Sequence, residues 1–176
     1  MSTILLTYST TDGHTLKISQ KMQHIIEQQG HLVTLLPIEK VSTDTLAKHD
    51  KTVIGASIRY GKHQRQVVSF IQQHKAQLDG KPSAFYTVNL VARKPEKCQP
   101  DTNPYIVKLM AQLAWQPSLQ GVFAGRLNYK KYGFLDRNMI RFIMWMTKGP
   151  TDPATDQEFT DWDSVERFAQ AVSDMT

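Results

Sequence analysis

The sequence predicts an α/β domain built on a doubly wound parallel sheet, and three observations carry that expectation. Five short apolar runs alternate with amphipathic helical patterns, the order of a parallel sheet covered on both faces. A Ser/Thr-rich loop follows the first run and opens directly into a helix. At 176 residues the chain suits one domain, spanning 1–176, with a full core.

The elements follow in order. A first strand, about Thr3 to Tyr8, leads to a helix with Ile18, Met22, Ile25 and Ile26 on one face, stopped by Gly30. The second strand lies near Leu32 to Leu36 and the third at Thr52 to Ser57, before a helix carrying Val67, Phe70, Ile71 and His74. The fourth, about Ser83 to Asn89, precedes a loop with Pro95 and Pro100. A helix then starts at Asn103-Pro104, where proline fits the first turn, and presents Ile106, Leu109, Met110 and Leu113. The fifth strand is about Leu119 to Ala124. Thr160, three residues before Asp163, reads as the cap of a last helix packing Trp162, Val165, Ala169 and Val172.

Composition narrows the function classes. The first residues lack the charged and apolar pattern of a secretory leader, and no apolar run reaches the roughly 18 to 20 residues of a spanning helix. Cys98 is the single cysteine, which excludes an internal disulfide and fits a reducing cytoplasm. The six histidines are scattered without metal-ligand spacing, so no metal is expected. No serine nucleophile elbow is present, and no catalytic base is singled out.

The most informative junction is Ser9-Thr10-Thr11-Asp12-Gly13-His14-Thr15. Backbone N–H groups of such a loop and of the first helical turn lack intrahelical partners, and the helix dipole adds positive potential, so an anion suits it. The hydroxyls add donors, and glycine permits close backbone approach. A loop of this kind also caps a helix with no ligand at all. It has too few glycines for a dinucleotide fingerprint and lacks the Gly-Lys-Ser/Thr of nucleotide triphosphate loops. Thr10 to Thr15 resembles the T-x-T-G-x-T loop with which flavodoxins hold the phosphate of FMN. Asp12 departs from that pattern, because a carboxylate beside a phosphate repels it unless it turns to solvent or caps the helix.

The flavodoxin resemblance implies a five-stranded sheet of order 2-1-3-4-5 with ligands at the carboxyl ends of the strands. Two further loops fall there. Ser57-Ile58-Arg59-Tyr60-Gly61 follows the third strand, and Asn89-Leu90-Val91-Ala92-Arg93 follows the fourth. Backbone groups in them suit the edge of an isoalloxazine ring, Tyr60 can stack on its face, and Arg59 or Arg93 can favour its anionic reduced form. Solvated surface loops are the alternative reading.

Between the fifth strand and the last helix lies a long stretch, 126–148. Arg126, Lys130, Lys131, Arg137, Arg141 and Lys148 oppose Asp136 alone, so its formal charge of +5 equals that of the whole chain. Phe134 to Thr147 reads as a helix roughly 20 Å long, with Trp145 among its apolar residues. It is too short to span a bilayer. It can lie in the headgroup region of an anionic membrane, wall a site for a flat, apolar, anionic substrate, or pack on its own domain or on a sister subunit in a homo-oligomer. Basic and aromatic residues interleave only at Tyr129 to Tyr132, too little for a nucleic-acid surface.

Val53 to Gly61, Pro82 to Tyr86 and Val88 to Lys97 resemble the HemG-type bacterial protoporphyrinogen oxidases, the menaquinone-dependent protoporphyrinogen IX dehydrogenases. So do Ser9-Thr10, Asp12-Gly13, Thr15, the insertion with Asp136-Arg137, Met139-Ile140 and Ile143-Met144, and Thr160-Asp161-Trp162. The resemblance covers nearly the whole chain and implies the penultimate step of haem synthesis. In that step FMN takes electrons from protoporphyrinogen IX in three two-electron rounds and passes them to menaquinone or ubiquinone. It also implies a cytoplasmic protein bound peripherally to the inner face of the bacterial inner membrane. Arg126, Lys130, Lys131, Arg137, Arg141 and Trp145 are the residues of the insertion expected to meet substrate or membrane. Two other functions fit the fold: a soluble flavodoxin-type electron carrier, and an NAD(P)H:quinone reductase.

Overall fold

The computed structural model describes residues 1–176. In chain order it contains β1 (Thr3–Ser9), α1 (His14–Gln28), β2 (Leu32–Pro37), α2 (Thr43–Ala47), β3 (Lys51–Arg59), β4 (Lys62–His63), α3 (Arg65–Asp79), β5 (Ser83–Asn89), α4 (Pro104–Leu113), β6 (Leu119–Ala124), β7 (Arg126–Asn128), α5 (Phe134–Met146), β8 (Asp156–Glu158) and α6 (Trp162–Asp174). Single turns of 3₁₀ helix lie at Ile38–Lys40, Val91–Arg93, Pro95–Lys97 and Tyr129–Lys131.

Five strands are parallel and lie in the order β2-β1-β3-β5-β6. The chain numbering therefore departs from the expected 2-1-3-4-5. The cause is a tight hairpin after β3, which adds the two-residue β4 antiparallel to it, pairing Ile58 with His63 and Arg59 with Lys62. Tyr60 and Gly61 turn that hairpin with φ of 50° and 74°, the positive pair that a two-residue type I′ connection requires. The pairing also lengthens β3, so that Ser57, Ile58 and Arg59 lie on a strand rather than in a loop.

Strand alternation builds two apolar layers. Leu5, Ile54, Phe85 and Val122 point to the face covered by α3 and α4, while Ile4, Leu6, Val53 and Phe123 point to the face covered by α1 and α6. Each such buried side chain contributes roughly 1.5–3 kcal/mol relative to exposure, so the sheet is what holds the amphipathic helices in place. The last helix is capped by Asp161, which accepts from the N–H groups of Asp163 and Ser164. Thr160, the expected cap, instead donates its hydroxyl proton to the Ala124 carbonyl.

The insertion is longer than the stretch 126–148. β7 and β8 form a separate antiparallel ribbon, pairing Arg126 with Glu158 and Asn128 with Asp156. Residues 126–158 thus form a lobe with its own small core of Leu127, Tyr129, Tyr132, Ile140 and Met144. Asp152, Asp156 and Glu158 join it, which lowers its formal charge from +5 to +2.

One close packing point fixes the central sheet. The ring of buried Tyr86 on β5 lies over Gly55 on β3, where any Cβ would clash with it, and the Tyr86 hydroxyl shares a 2.6 Å hydrogen bond with Ser19 on α1. Replacing Gly55 by alanine is expected to destabilise the protein by about 1–3 kcal/mol, the cost of overpacking a filled core. Urea denaturation measures this, and an unchanged midpoint would contradict the packing.

Candidate active site

Parallel pairing brings the carboxyl ends of β1, β3, β5 and β6 side by side, with Ser9 beside Ala56, Ser57 beside Val88 and Asn89 beside Ala124. The chain reverses direction across the sheet between β1 and β3, the position where ligands bind in open α/β sheets. An open cleft lies there. Its walls come from the β1–α1 loop, the β3 hairpin, the turn after β5, Tyr105 of α4, and the lobe.

The β1–α1 loop has the features of an anion site. Gly13 sits at φ 85°, a conformation that favours glycine, and its N–H donates to the Thr10 hydroxyl oxygen at 3.0 Å. The backbone N–H groups of His14, Thr15 and Leu16, at the start of α1, have no partner in the protein. Thr15 Oγ1 is buried and unpartnered as well, and so is Ser57 Oγ across the cleft. Such groups are costly to leave unpaired, so their concentration here points to a hydrogen-bonding ligand.

Two glutamines brace this loop from α3 and its cap. Ser9 Oγ donates to Gln64 Oε1 at 2.6 Å and accepts from Gln66 Nε2, while Gln64 Nε2 donates to Thr11 Oγ1. The hydroxyls of Ser9 and Thr11 are thus engaged in holding the loop. Asp12 does not cap α1 but stays exposed to solvent, as the sequence allowed. Its carboxylate accepts from Arg59 Nη2 at 3.0 Å, which offsets its charge beside the anion site. The Arg59 guanidinium also lies 5.3 Å from the Tyr132 ring centre and 4.0 Å from the Asp136 carboxylate. It therefore ties the loop, β3 and the lobe together at one point.

His14 Nε2 approaches Thr160 Oγ1 at 2.6 Å, and because that oxygen donates to Ala124, the imidazole is the donor. Burial holds the His14 pKa below its ordinary value and favours this neutral form. Asn89 is spent on the turn it begins, accepting from the Ala92 N–H at 2.9 Å and from Asn103 Nδ2. Ala92 is buried in the main core rather than in the cleft wall. Asn89 itself, Leu90, Val91 and Arg93 do line the cleft, and Arg93 donates to the carbonyls of Leu90 and Thr147.

The cationic residues of the insertion divide. Arg126 lines the cleft but forms a two-point ion pair with Asp156, each contact 2.8 Å. Arg137 donates to the carbonyls of Tyr129 and Tyr132, and Arg141 to that of Thr151, so both fasten the lobe internally. Lys130 and Lys131 are exposed and without an ion-pair partner. Trp145 points away from the cleft and is 69% exposed. Ile140, Ile143, Met144 and Thr147, on the other side of α5, form the cleft wall. These four, with Tyr105, Gly125, Tyr132, Gln64 and Gln66, were not among the site residues expected from sequence. Only Gly125, directly after a strand end, and the i, i+4 pair of Ile140 and Met144 carry a local signal.

A parallel sheet of this order, with an anion loop after its first strand, defines the flavodoxin-like class. The family model described as Flavodoxin domain matches residues 5–154, and the chain belongs to that family. The chain is 39% identical over 176 residues to the protoporphyrinogen IX dehydrogenase (quinone) of Escherichia coli (strain K12), covering 100% of this chain and 97% of that protein. It is 42% identical over 166 residues to the protein of the same name from Leishmania major, covering 94% and 72%. Among solved structures, an archaeal flavodoxin superposes with TM-score 0.54 at 14% identity, over 98% of this chain and 96% of that one. A WrbA-like flavodoxin from Agrobacterium tumefaciens gives 0.52 at 14% identity, over 99% and 96%. These two likenesses establish the fold.

Substituting Thr15 by valine is expected to leave the unliganded protein as stable as before or more so, because it removes an unpartnered hydroxyl. Affinity for a phosphate-bearing flavin is expected to fall about tenfold, the worth of a hydrogen bond to a charged group. Thermal unfolding and fluorescence titration measure the two; undiminished affinity would remove Thr15 from the site.

Proposed function

We propose that this chain is an FMN-dependent dehydrogenase that oxidises protoporphyrinogen IX to protoporphyrin IX and delivers the electrons to menaquinone or ubiquinone, as in haem synthesis. The observation that carries the reading is the inserted lobe. It lies within a likeness running the length of the chain, and it walls a cleft whose opposite end is an anion loop. Neither an electron carrier nor a nicotinamide-dependent reductase calls for such a wall.

The residues present fit the cofactor. Thr10, Thr15 and the first-turn N–H groups of α1 would hold its phosphate, and the buried Ser57 hydroxyl would meet a polar group between phosphate and ring. Ile58, Tyr60, Gly61, Leu90 and Val91 would flank a flat ring. Bound FMN supplies a two-electron acceptor that a quinone can reoxidise. The protein's own contribution is positioning and exclusion of water. Ile140, Ile143 and Met144 offer an apolar wall for large hydrophobic partners. Asp12, the one carboxylate lining the cleft, is held by Arg59, so no acidic side chain stands free as a base.

Peripheral attachment to an anionic membrane, on the cytoplasmic face, belongs to the same proposal. No helix is long and apolar enough to cross a bilayer. α5, however, exposes Phe134, Leu135, Met139, Phe142, Trp145 and Met146 on the side opposite the cleft, with Leu135 81% and Phe134 76% accessible. An apolar face this continuous marks an interaction surface. Lys130, Lys131 and Lys148 lie exposed on the same lobe, and the expected quinone partner resides in lipid. A helix with one side against the cleft and the other in the bilayer gives a lipid-borne oxidant a short path.

Anaerobic mixing with protoporphyrinogen IX is expected to bleach the bound flavin, and a menaquinone analogue is expected to restore its colour. Failure of the first half would exclude the porphyrinogen reading, and failure of the second the quinone. For the membrane, sedimentation with phosphatidylglycerol-containing vesicles should capture the protein. Leu135→Glu with Phe142→Glu should cut that capture about tenfold without changing flavin content. Equal capture would exclude α5 as the attachment face.

A further inference from the structure

Three guanidinium groups line the cleft, and their surroundings differ. Arg59 is paired with Asp12, and Arg126 with Asp156. Arg93 has no acidic partner. Its Nη1 donates to the Leu90 carbonyl at 2.8 Å, and its Nη2 to the carbonyl and hydroxyl oxygens of Thr147 at 2.9 and 3.1 Å. All three acceptors are neutral. The Nε–H and the second Nη1–H are left without a protein partner.

The position of this charge matters as much as its isolation. Arg93 is half-buried in the turn after β5, held between that turn and the C-terminal end of α5. Burial pulls its pKa downward, the sign of a cation lacking full solvation. The guanidinium is also held in place, by its hydrogen bonds to the Leu90 carbonyl on one side and to Thr147 on the other. The anion loop follows β1, two strand spacings from β5, roughly 10 Å away at about 4.8 Å per strand. Arg93 is therefore a second, separate positive point in the cleft, at the end walled by the lobe.

A fixed, desolvated guanidinium with spare donors is matched by a carboxylate, which meets its charge and its planar donor geometry together. We propose that Arg93 is the counterion for a carboxylate of the substrate and so selects an acid-bearing tetrapyrrole over a neutral one of the same shape. This rests on the dehydrogenase reading above, whose substrate carries two propionates. It assigns one of them to the end of the cleft between the β5 turn and α5. The hydrogen bonds to Thr147 give Arg93 a second task, holding α5 against the core, and the test has to separate the two.

The experiment compares flavin reduction by protoporphyrinogen IX with reduction by its dimethyl ester, using the flavin-loaded protein under anaerobic conditions. In the wild type the diacid is expected to react with a kcat/KM at least roughly tenfold above that of the ester, as for one hydrogen-bonded ion pair. Arg93→Gln should bring the ratio close to one by slowing the diacid, and Arg93→Lys should restore part of it. Thr147→Val, which removes one acceptor but keeps the cation, should leave the ratio near the wild-type value even where both rates fall. A ratio near one in the wild type would overturn the assignment, and so would a ratio retained in Arg93→Gln. A shift of the flavin midpoint potential in Arg93→Gln, with diacid and ester slowed alike, would make the flavin the counterion and also overturn it. If neither compound reduces the flavin while dithionite does, the dehydrogenase reading itself fails.

Discussion

The structure is organised around hydrogen-bonding groups that the protein does not satisfy by itself. The first N–H groups of α1, Thr15 Oγ1 and Ser57 Oγ all gather where β1 and β3 end. Every other choice nearby supports their exposure to one ligand. Gly13 takes a left-handed conformation to set the helix start, Gln64 and Gln66 hold the loop hydroxyls, and Arg59 neutralises Asp12. Leaving buried donors open lowers the stability of the unliganded fold, and that cost is the physical basis of affinity.

The second organising feature is the lobe, which is stabilised separately from the sheet. Its small core and its ribbon are stitched by Arg137 and Arg141, which donate to backbone carbonyls, and by the Arg126–Asp156 pair, so half of its six cationic side chains are structural and only the three lysines are free. It meets the main body through the ion pair of Glu158 with Lys17 on α1 and, at two guanidinium joints, through Arg59, which reaches toward Asp136, and Arg93, which holds Thr147. Both joints border the cleft. The β1–α1 loop, the apolar cleft wall and the lobe are thus coupled through two guanidinium groups, each held by several contacts.

Much of this was legible in the chain. Period-two and period-3.6 patterns located the main strands and helices, because burial against a sheet imposes those periods directly. The loop from Ser9 to Thr15 declared itself through composition and its place after a strand. Short elements were less visible. The β4 hairpin depends on Tyr60 accepting a positive φ, which no local rule for tyrosine suggests, and the β7–β8 ribbon joins segments some thirty residues apart. Reading the insertion as ending at Lys148 omitted three carboxylates and overstated its charge.

What the sequence determined by itself was the class of fold, the Ser/Thr-rich loop between the first strand and its helix, and the presence of a basic, apolar insertion, since each follows from local pattern and composition. The tertiary structure alone decided which charges are free. Arg126, Arg137 and Arg141 looked equivalent to Lys130 and Lys131 in the sequence, yet the first three are consumed by partners within the lobe. It also decided that one side of α5 walls the cleft while the other stands in solvent. Both are matters of which distant groups meet, and contact between remote segments is fixed by packing rather than by the order of residues along the chain.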